Sequence, residues 1–289
     1  MAPPTTCEVW RSRCTGDRVV ATRAPLVEVL EEGDLFFFYR ARLDVSEVHD
    51  RADVQRFYMA LAAKRPRRVY RLLVIGRKKL PVPTPGQHPE RRNWALVVRV
   101  SRSPEAIRSE LAAYEYETRT RGERFAPAAK PLAEGRYRLL QHHNHTELAY
   151  ALELPKQPGP AQQEFEIREE GSYVVAVKNP EVAVPGAPSP SRPPEYPPDL
   201  REKFGSRRWI DAEPELLDYE NTQLMLLAAH TGDVETELGV HIPTEDETLA
   251  TAEVCRELRV SCEREAVTPL LEGTFPDKEA PEQAKDVET

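Results

Sequence analysis

The sequence predicts a strand-rich α+β protein, an antiparallel barrel-like or sandwich domain followed by a small C-terminal α/β segment. Three observations predict it. The apolar runs are short and rich in aromatic and β-branched residues, turn residues separate them closely, and one proline-dense stretch interrupts the pattern late in the chain.

Residues 1–24 are polar and irregular and read as a poorly ordered lead-in. A domain over residues 25–180 then opens on the turn Gly33-Asp34 and the aromatic run Leu35 to Leu43. Asp44 to Gln55 is charged, with room for one or two helical turns. Phe57–Ala63 and Val69–Gly76 flank Lys64-Arg65-Pro66-Arg67-Arg68 and read as a β-hairpin. The helix formers Met59 to Ala63 leave a helix over 53–63 as the alternative. Lys79 to Asn93 is a polar, proline-containing loop and Trp94–Val100 a strand. Ser103, Pro104 and Glu105 supply a cap, a first-turn proline and a first-turn acid, so a helix starts there and buries Ile107 and Leu111.

Tyr114 to Gly135 reads as a long surface loop with a basic centre. Tyr137–His142 and Glu147–Leu154 frame a second hairpin, and Phe165–Ile167 with Ser172–Lys178 a third. The echo between VYRLLVIG and RYRLLQHH is two similar strands, not a repeat. Residues 179–200 hold eight prolines in 22 positions, which forbids a helix or a central strand and predicts an extended connector over about 181–205. Residues 206–272 form the small segment, with a strand at Leu224–Ala229, a helix at Asp233–Leu238 stopped by Gly239, and a second helix from about Glu247 to Leu258. At this size it needs the first domain for support. Residues 273–289 are acidic and predict a disordered tail.

Charge is divided unevenly. Residues 1–150 carry 27 Lys and Arg against 18 Asp and Glu, and the remainder 13 against 30. The positive excess concentrates between Lys64 and Arg138, with 19 basic and seven acidic residues. Such a stretch predicts an anionic partner or attraction between the halves. The guanidinium fork suits phosphate. Arg77, Lys78 and Lys79, with Arg119, Arg121 and Arg124, are the candidate anion-binding residues. In Thr118 to Arg124 (TRTRGER), alternating Thr and Arg before a glycine lets N–H and guanidinium groups approach one anion, though the spacing is not that of a P-loop. Trp94, Tyr70 and Tyr137 are the candidate stacking residues, each equally suited to a core.

Three histidines fall within His142–His145. Such a cluster could ligate a metal or act as acid and base. On a strand His143 and His145 share a face, which suits chelation, and they are the alternative acid/base pair for an enzyme. No other Cys or His is predicted beside them, and no metal or cofactor is expected. The cysteines stand as Cys7/Cys14 and Cys255/Cys262, each C-x6-C; this is neither a zinc hook nor a disulfide framework and reads as reduced thiols. Nothing resembles a secretory signal, and no apolar run is long enough to span a bilayer, so a cytoplasmic protein without membrane association is expected.

The blocks GDLFFFYR (33–40), DVQRFY (53–58), YRLLVIGRKKLP (70–81), TRTRGER (118–124), HTELAYALELP (145–155) and SYVVAVKNPE (172–181) resemble those of a prokaryotic protein family with no assigned activity. That resemblance implies an intracellular protein over about residues 26–272 and no chemistry. The turn Gly33-Asp34 leading into Leu35–Tyr39, with the valine-rich strand ending at Ser103-Pro104, is similar to PUA-like domains of the EVE and ASCH kind. That similarity implies a small barrel and binding of RNA or modified bases. The sequence thus leads to a non-enzymatic binder of RNA, DNA or a small anionic ligand. An enzyme on a phosphorylated or nucleotide-like substrate is the alternative, and an assembly subunit pairing through its charge asymmetry the third reading.

Overall fold

In the computed structural model the chain is described over residues 27–275, apart from 44, 46, 85–87, 119–121, 185–189 and 231–233. The expected lead-in and nearly all of the expected tail, with Cys7, Cys14, Arg119 and Arg121, lie outside the described residues.

Strands dominate, as the short apolar runs require. They are β1 (Val27–Ala41), β2 (Val54–Arg65), β3 (Val69–Ile75), β4 (Arg92–Ser101), β5 (Tyr114–Thr118), β6 (Gly122–Ala126), β7 (Lys130–His142), β8 (His145–Leu154), β9 (Glu170–Lys178), β10 (Trp209–Asp211) and β11 (Gln223–His230). Nine of them form one sheet in the order β10-β9-β11-β4-β3-β2-β1-β7-β8, and a further β9–β8 pairing closes it into a ring. Every pairing is antiparallel. Closure gives the other eight strands neighbours on both sides and leaves the three-residue β10 as the edge.

Alternation along each strand sorts the core. Leu35, Phe37 and Tyr39 of β1 pack inside the ring with Phe57, Met59, Leu73, Tyr150 and Val175. Phe36 and Phe38 point outward and are also buried, with Tyr58, Leu72 and helical residues. A strand covered on both faces explains the unbroken aromatic run. The outer cover comes from α1 (Pro104–Leu111), α5 (Glu253–Arg256) and α6 (Arg264–Glu272), which contribute Ile107, Leu111, Val254, Val267 and Leu270. Three short helices, α2 (Pro160–Glu164), α3 (Pro198–Glu202) and α4 (Val234–Leu238), lie in the connections. Gly33 and Gly135 sit at register shifts where a Cβ would lie 2.1 Å from the carbonyl oxygens of Ala62 and Ala151. Only glycine permits that approach, and the bulges bend the strands into the ring.

The ring is filled. Near one end Arg71 is wholly buried and pairs with both oxygens of Glu31, at 2.6 and 2.9 Å. Its Nε donates to Asp218 at 2.8 Å, and Tyr137 Oη donates to Glu31 at 2.8 Å. Near the other, Phe165 and Phe275 pack on Tyr39.

Several expectations change. Leu224–Ala229, expected as a strand of the small C-terminal segment, is part of β11, a central strand between β9 and β4. The connector, whose prolines were expected to forbid a helix, carries α3 at its end, with Pro198 in the first turn where its missing N–H costs nothing. Phe165–Ile167 is not a strand. β8 and β11 already occupy both sides of β9, so the segment turns after α2 and drives Phe165 into the core. The expected loop at 114–135 holds the β5–β6 hairpin and the start of β7. The helix expected over 247–258 shrinks to α5, because the Thr251 hydroxyl engages the backbone of Thr248 and holds a turn there. Cys255 and Cys262, expected as reduced thiols, form a disulfide with Cα atoms 6.0 Å apart. Folding brings them within bridging distance, which spacing alone does not reveal.

Candidate functional site

The turn between β2 and β3 gathers the densest cationic surface, because five successive residues (Lys64 to Arg68) include four bases and the hairpin holds them at one end of the ring. All four are answered by acids from elsewhere in the chain. Lys64 Nζ lies 2.6 Å from Asp34, Arg65 3.4 Å from Glu32, and Arg68 2.7 Å from Glu257, while Arg67 pairs with Asp218. Glu257 and Asp218 belong to the acidic half, as do Glu245 beside Arg136 and Glu220 beside Arg99. The charge asymmetry is therefore spent in large part inside the molecule.

A cationic remainder survives beside the turn. Arg102 precedes the cap of α1, and Arg256 and Arg259 project from the loop closed by the disulfide. With Arg68 they line a recess of about 450 Å³, floored by Tyr70. Arg68 and Arg102 also line a second recess of about 510 Å³, with Arg67 and Ser101. Five arginines from three parts of the chain thus border two recesses that share two residues. The acids Glu105, Glu253, Glu257 and Asp218 line them too. Among the described residues, no carboxylate lies within ion-pair distance of Arg102, Arg256 or Arg259.

The floor is held by a short polar chain. Tyr70 Oη and Arg68 both donate to Glu257. Burial resists ionisation of Glu257, but those two hydrogen bonds, with one from Asp34 and the charge of Arg68, together hold the carboxyl below its usual range. Burial, then the Glu257 contact, pushes the Tyr70 phenol up to about 12. The wall is anchored by Glu134, whose carboxyl accepts the N–H groups of Glu253 at 3.2 Å and Val254 at 2.9 Å at the start of α5. Burial, and then its neighbour Glu247, pushes Glu134 up to about 9. Asp34 rises to about 6, chiefly through burial.

The residues singled out from sequence are scattered by the fold. Arg77, Lys78 and Lys79 sit at the opposite end of β3 from this turn. Arg77 donates to the Pro89 carbonyl at 2.9 Å, Lys78 to those of Arg51 and Val54 at 3.0 and 2.7 Å, and Lys79 pairs with Glu90 at 3.2 Å. They brace loops. Arg124 lies on β6, which does not border the recesses. Tyr137 is inside the ring, Tyr70 is beneath the recess, and Trp94 is half-buried against Trp209 with ring centroids 5.2 Å apart. None of the three presents a free face beside the arginines. His143 occupies a turn position with φ 54°, its ring 4.4 Å from that of His142, and His145 Nε2 lies 2.6 Å from Glu147. Neither histidine lines the arginine recesses.

No family model, curated protein or solved structure matches this chain. Among the described residues no helix is long and apolar enough to cross a membrane.

The sequence signal for the turn was the run Lys64–Arg68. Arg102, Arg256 and Arg259 gave none, because the β3–β4 pairing sets Arg102 beside the turn and tertiary packing brings the loop of Arg256 and Arg259, more than 150 positions further on, to the same recess.

Proposed function

We propose that this protein is a non-catalytic binder of nucleic acid or another phosphate-bearing ligand, taken at the recesses beside the β2–β3 turn. The observation that carries the reading is the convergence of Arg68, Arg102, Arg256 and Arg259 on one recess, three of them without an acidic partner among the described residues. Guanidinium groups on separate elements grip a phosphate from several directions, and each offers a planar pair of donors. The nearest aromatic, Tyr70, is buried and engaged by Glu257, which favours recognition of phosphate over stacking on bases.

The enzymatic alternative requires His143 or His145 beside the bound anion. Both lie outside the recesses, so the binding reading is preferred. The test is a titration of fluorescein-labelled single-stranded RNA and DNA, and of a nucleoside triphosphate, at several salt concentrations. Three phosphate contacts give a slope of about −2 in log affinity against log salt for a single strand. Replacing Arg102 and Arg256 with Ala should weaken binding and flatten that slope. No affinity for any of these probes at low salt would dismiss the proposal.

A further inference from the structure

The β7–β8 hairpin carries a second constellation, on the outer surface of the ring. His142 and His145 are a cross-strand pair that closes the turn His143-Asn144. Opposed residues of an antiparallel pair share a face, and Glu147, two positions on, shares it as well. Glu147 Oε1 lies 2.6 Å from His145 Nε2 and 3.3 Å from His142 Nδ1. Its other oxygen accepts the Ser172 hydroxyl at 2.9 Å. One ligand atom from each of the three residues falls within 4.8 Å of the other two.

Exposure is graded across the cluster. The Glu147 side chain is 2% exposed, that of His142 15% and that of His145 30%. The carboxylate is the floor, and the imidazoles form a rim open to solvent on one side. Among other buried acids, Glu31 has Arg71, Asp34 has Lys64 and Arg136, and Glu153 has Arg136 as fixed cations, while Glu134 is held by the N–H groups of Glu253 and Val254. Glu147 has instead two imidazoles and a hydroxyl as its hydrogen-bond partners among the described residues. A buried carboxylate without a fixed counter-charge is costly, and a bound cation would supply one. The other carboxylate cluster, Asp34, Glu253 and Glu257, lacks this vacancy in charge, because Lys64, Arg136 and Arg68 already neutralise it.

We infer that His142, His145 and Glu147 form a binding site for a divalent transition metal of the zinc class. Two neutral imidazoles and one carboxylate are the donors such ions take, and three protein ligands leave a position open for water or a ligand. A tetrahedral centre with bonds of about 2.1 Å places its donors about 3.4 Å apart. The His142–Glu147 separation already fits. That of His145 and Glu147 must widen by about 0.8 Å on this geometry, a change that turning the part-exposed His145 ring provides. Ser172 holds the second carboxylate oxygen, the outer-shell contact that orients a ligating acid.

The test uses the full chain, stripped with a chelator, and titrates Zn²⁺ by calorimetry and Co²⁺ by visible absorption. One equivalent of Zn²⁺ is expected, with Co²⁺ giving the absorption of a low-coordinate nitrogen and oxygen site. His145→Ala, at an accessible position that should not disturb folding, and Glu147→Gln are each expected to weaken that equivalent at least about tenfold, and Ser172→Ala by about tenfold. His241→Ala, at an exposed histidine paired with Glu235, should change nothing. A Cys7→Ser/Cys14→Ser variant should retain the equivalent. The inference is overturned if no Zn²⁺ binds at about 100 µM, far weaker than protein zinc sites, if affinity survives His145→Ala, or if the equivalent disappears with Cys7 and Cys14.

Discussion

Replacing Arg71 with Met removes the buried cation paired with Glu31 at the filled end of the ring. Arg71 is 0% exposed and gives Glu31 two hydrogen bonds, Asp218 one and the Pro214 carbonyl one. After substitution Glu31, itself 1% exposed, keeps the Tyr137 hydroxyl and no cation. Stranding one member of a buried ion pair costs about 3–5 kcal/mol. That is a large share of a typical total of about 5–15 kcal/mol. The double variant Arg71→Met/Glu31→Leu strands no charge and leaves the Tyr137 hydroxyl and the Pro214 carbonyl to be re-satisfied, at roughly 1–3 kcal/mol. The double variant should therefore be the more stable of the two, by about 2 kcal/mol. Urea unfolding followed by circular dichroism measures this, provided the denaturant slope is unchanged. A cost below about 1 kcal/mol for Arg71→Met, or a double variant less stable than the single, would refute the reasoning.

Two further outcomes follow from the packing around α5. Glu134 holds its proton in the folded chain up to about 9 against an ordinary value of 4.5, through burial first and Glu247 second. A raised folded value gives stability that is whole below the ordinary value and lost as pH climbs towards the folded one, by at most about 1.4 kcal/mol per unit. Thermal stability should accordingly fall from about pH 5 to pH 9 and fall less steeply in Glu134→Gln; parallel curves would contradict this. Cys255→Ser opens a loop of separation 7, worth about 2.5 kcal/mol on the chain-entropy estimate. It should also weaken anion binding, since Arg256 and Arg259 lie in that loop. Both effects should vanish when wild type and variant are compared in reductant, and a difference that persists would place the cause elsewhere.

The legible parts of the fold were those written locally. The β2–β3 and β7–β8 hairpins follow from runs of one pattern around short turns, and α1 follows from Ser103, Pro104 and Glu105 at its start. The strand β11 was legible as a strand but not in its place, because its neighbours β4 and β9 are set by ring closure and not by adjacent sequence. The third expected hairpin failed for the same reason. At the site, sequence could rank residue types but not their spare charge. Arg71 and Arg102 look alike in the chain, yet one is sealed against Glu31 and the other borders an open recess. The histidine run drew notice to His143 and His145. The pairing of strands instead sets His142 opposite His145 over Glu147, a carboxylate that periodicity alone assigned to an ordinary strand position.

The most direct measurement is the salt dependence of anion binding by the wild-type chain beside Arg102→Ala/Arg256→Ala and a control, Arg77→Ala/Lys79→Ala. The expected result is binding that strengthens as salt is lowered, loses affinity and slope in the first variant, and is unchanged in the control. Equal loss in both variants, or none in either, would contradict a phosphate-binding recess beside the β2–β3 turn.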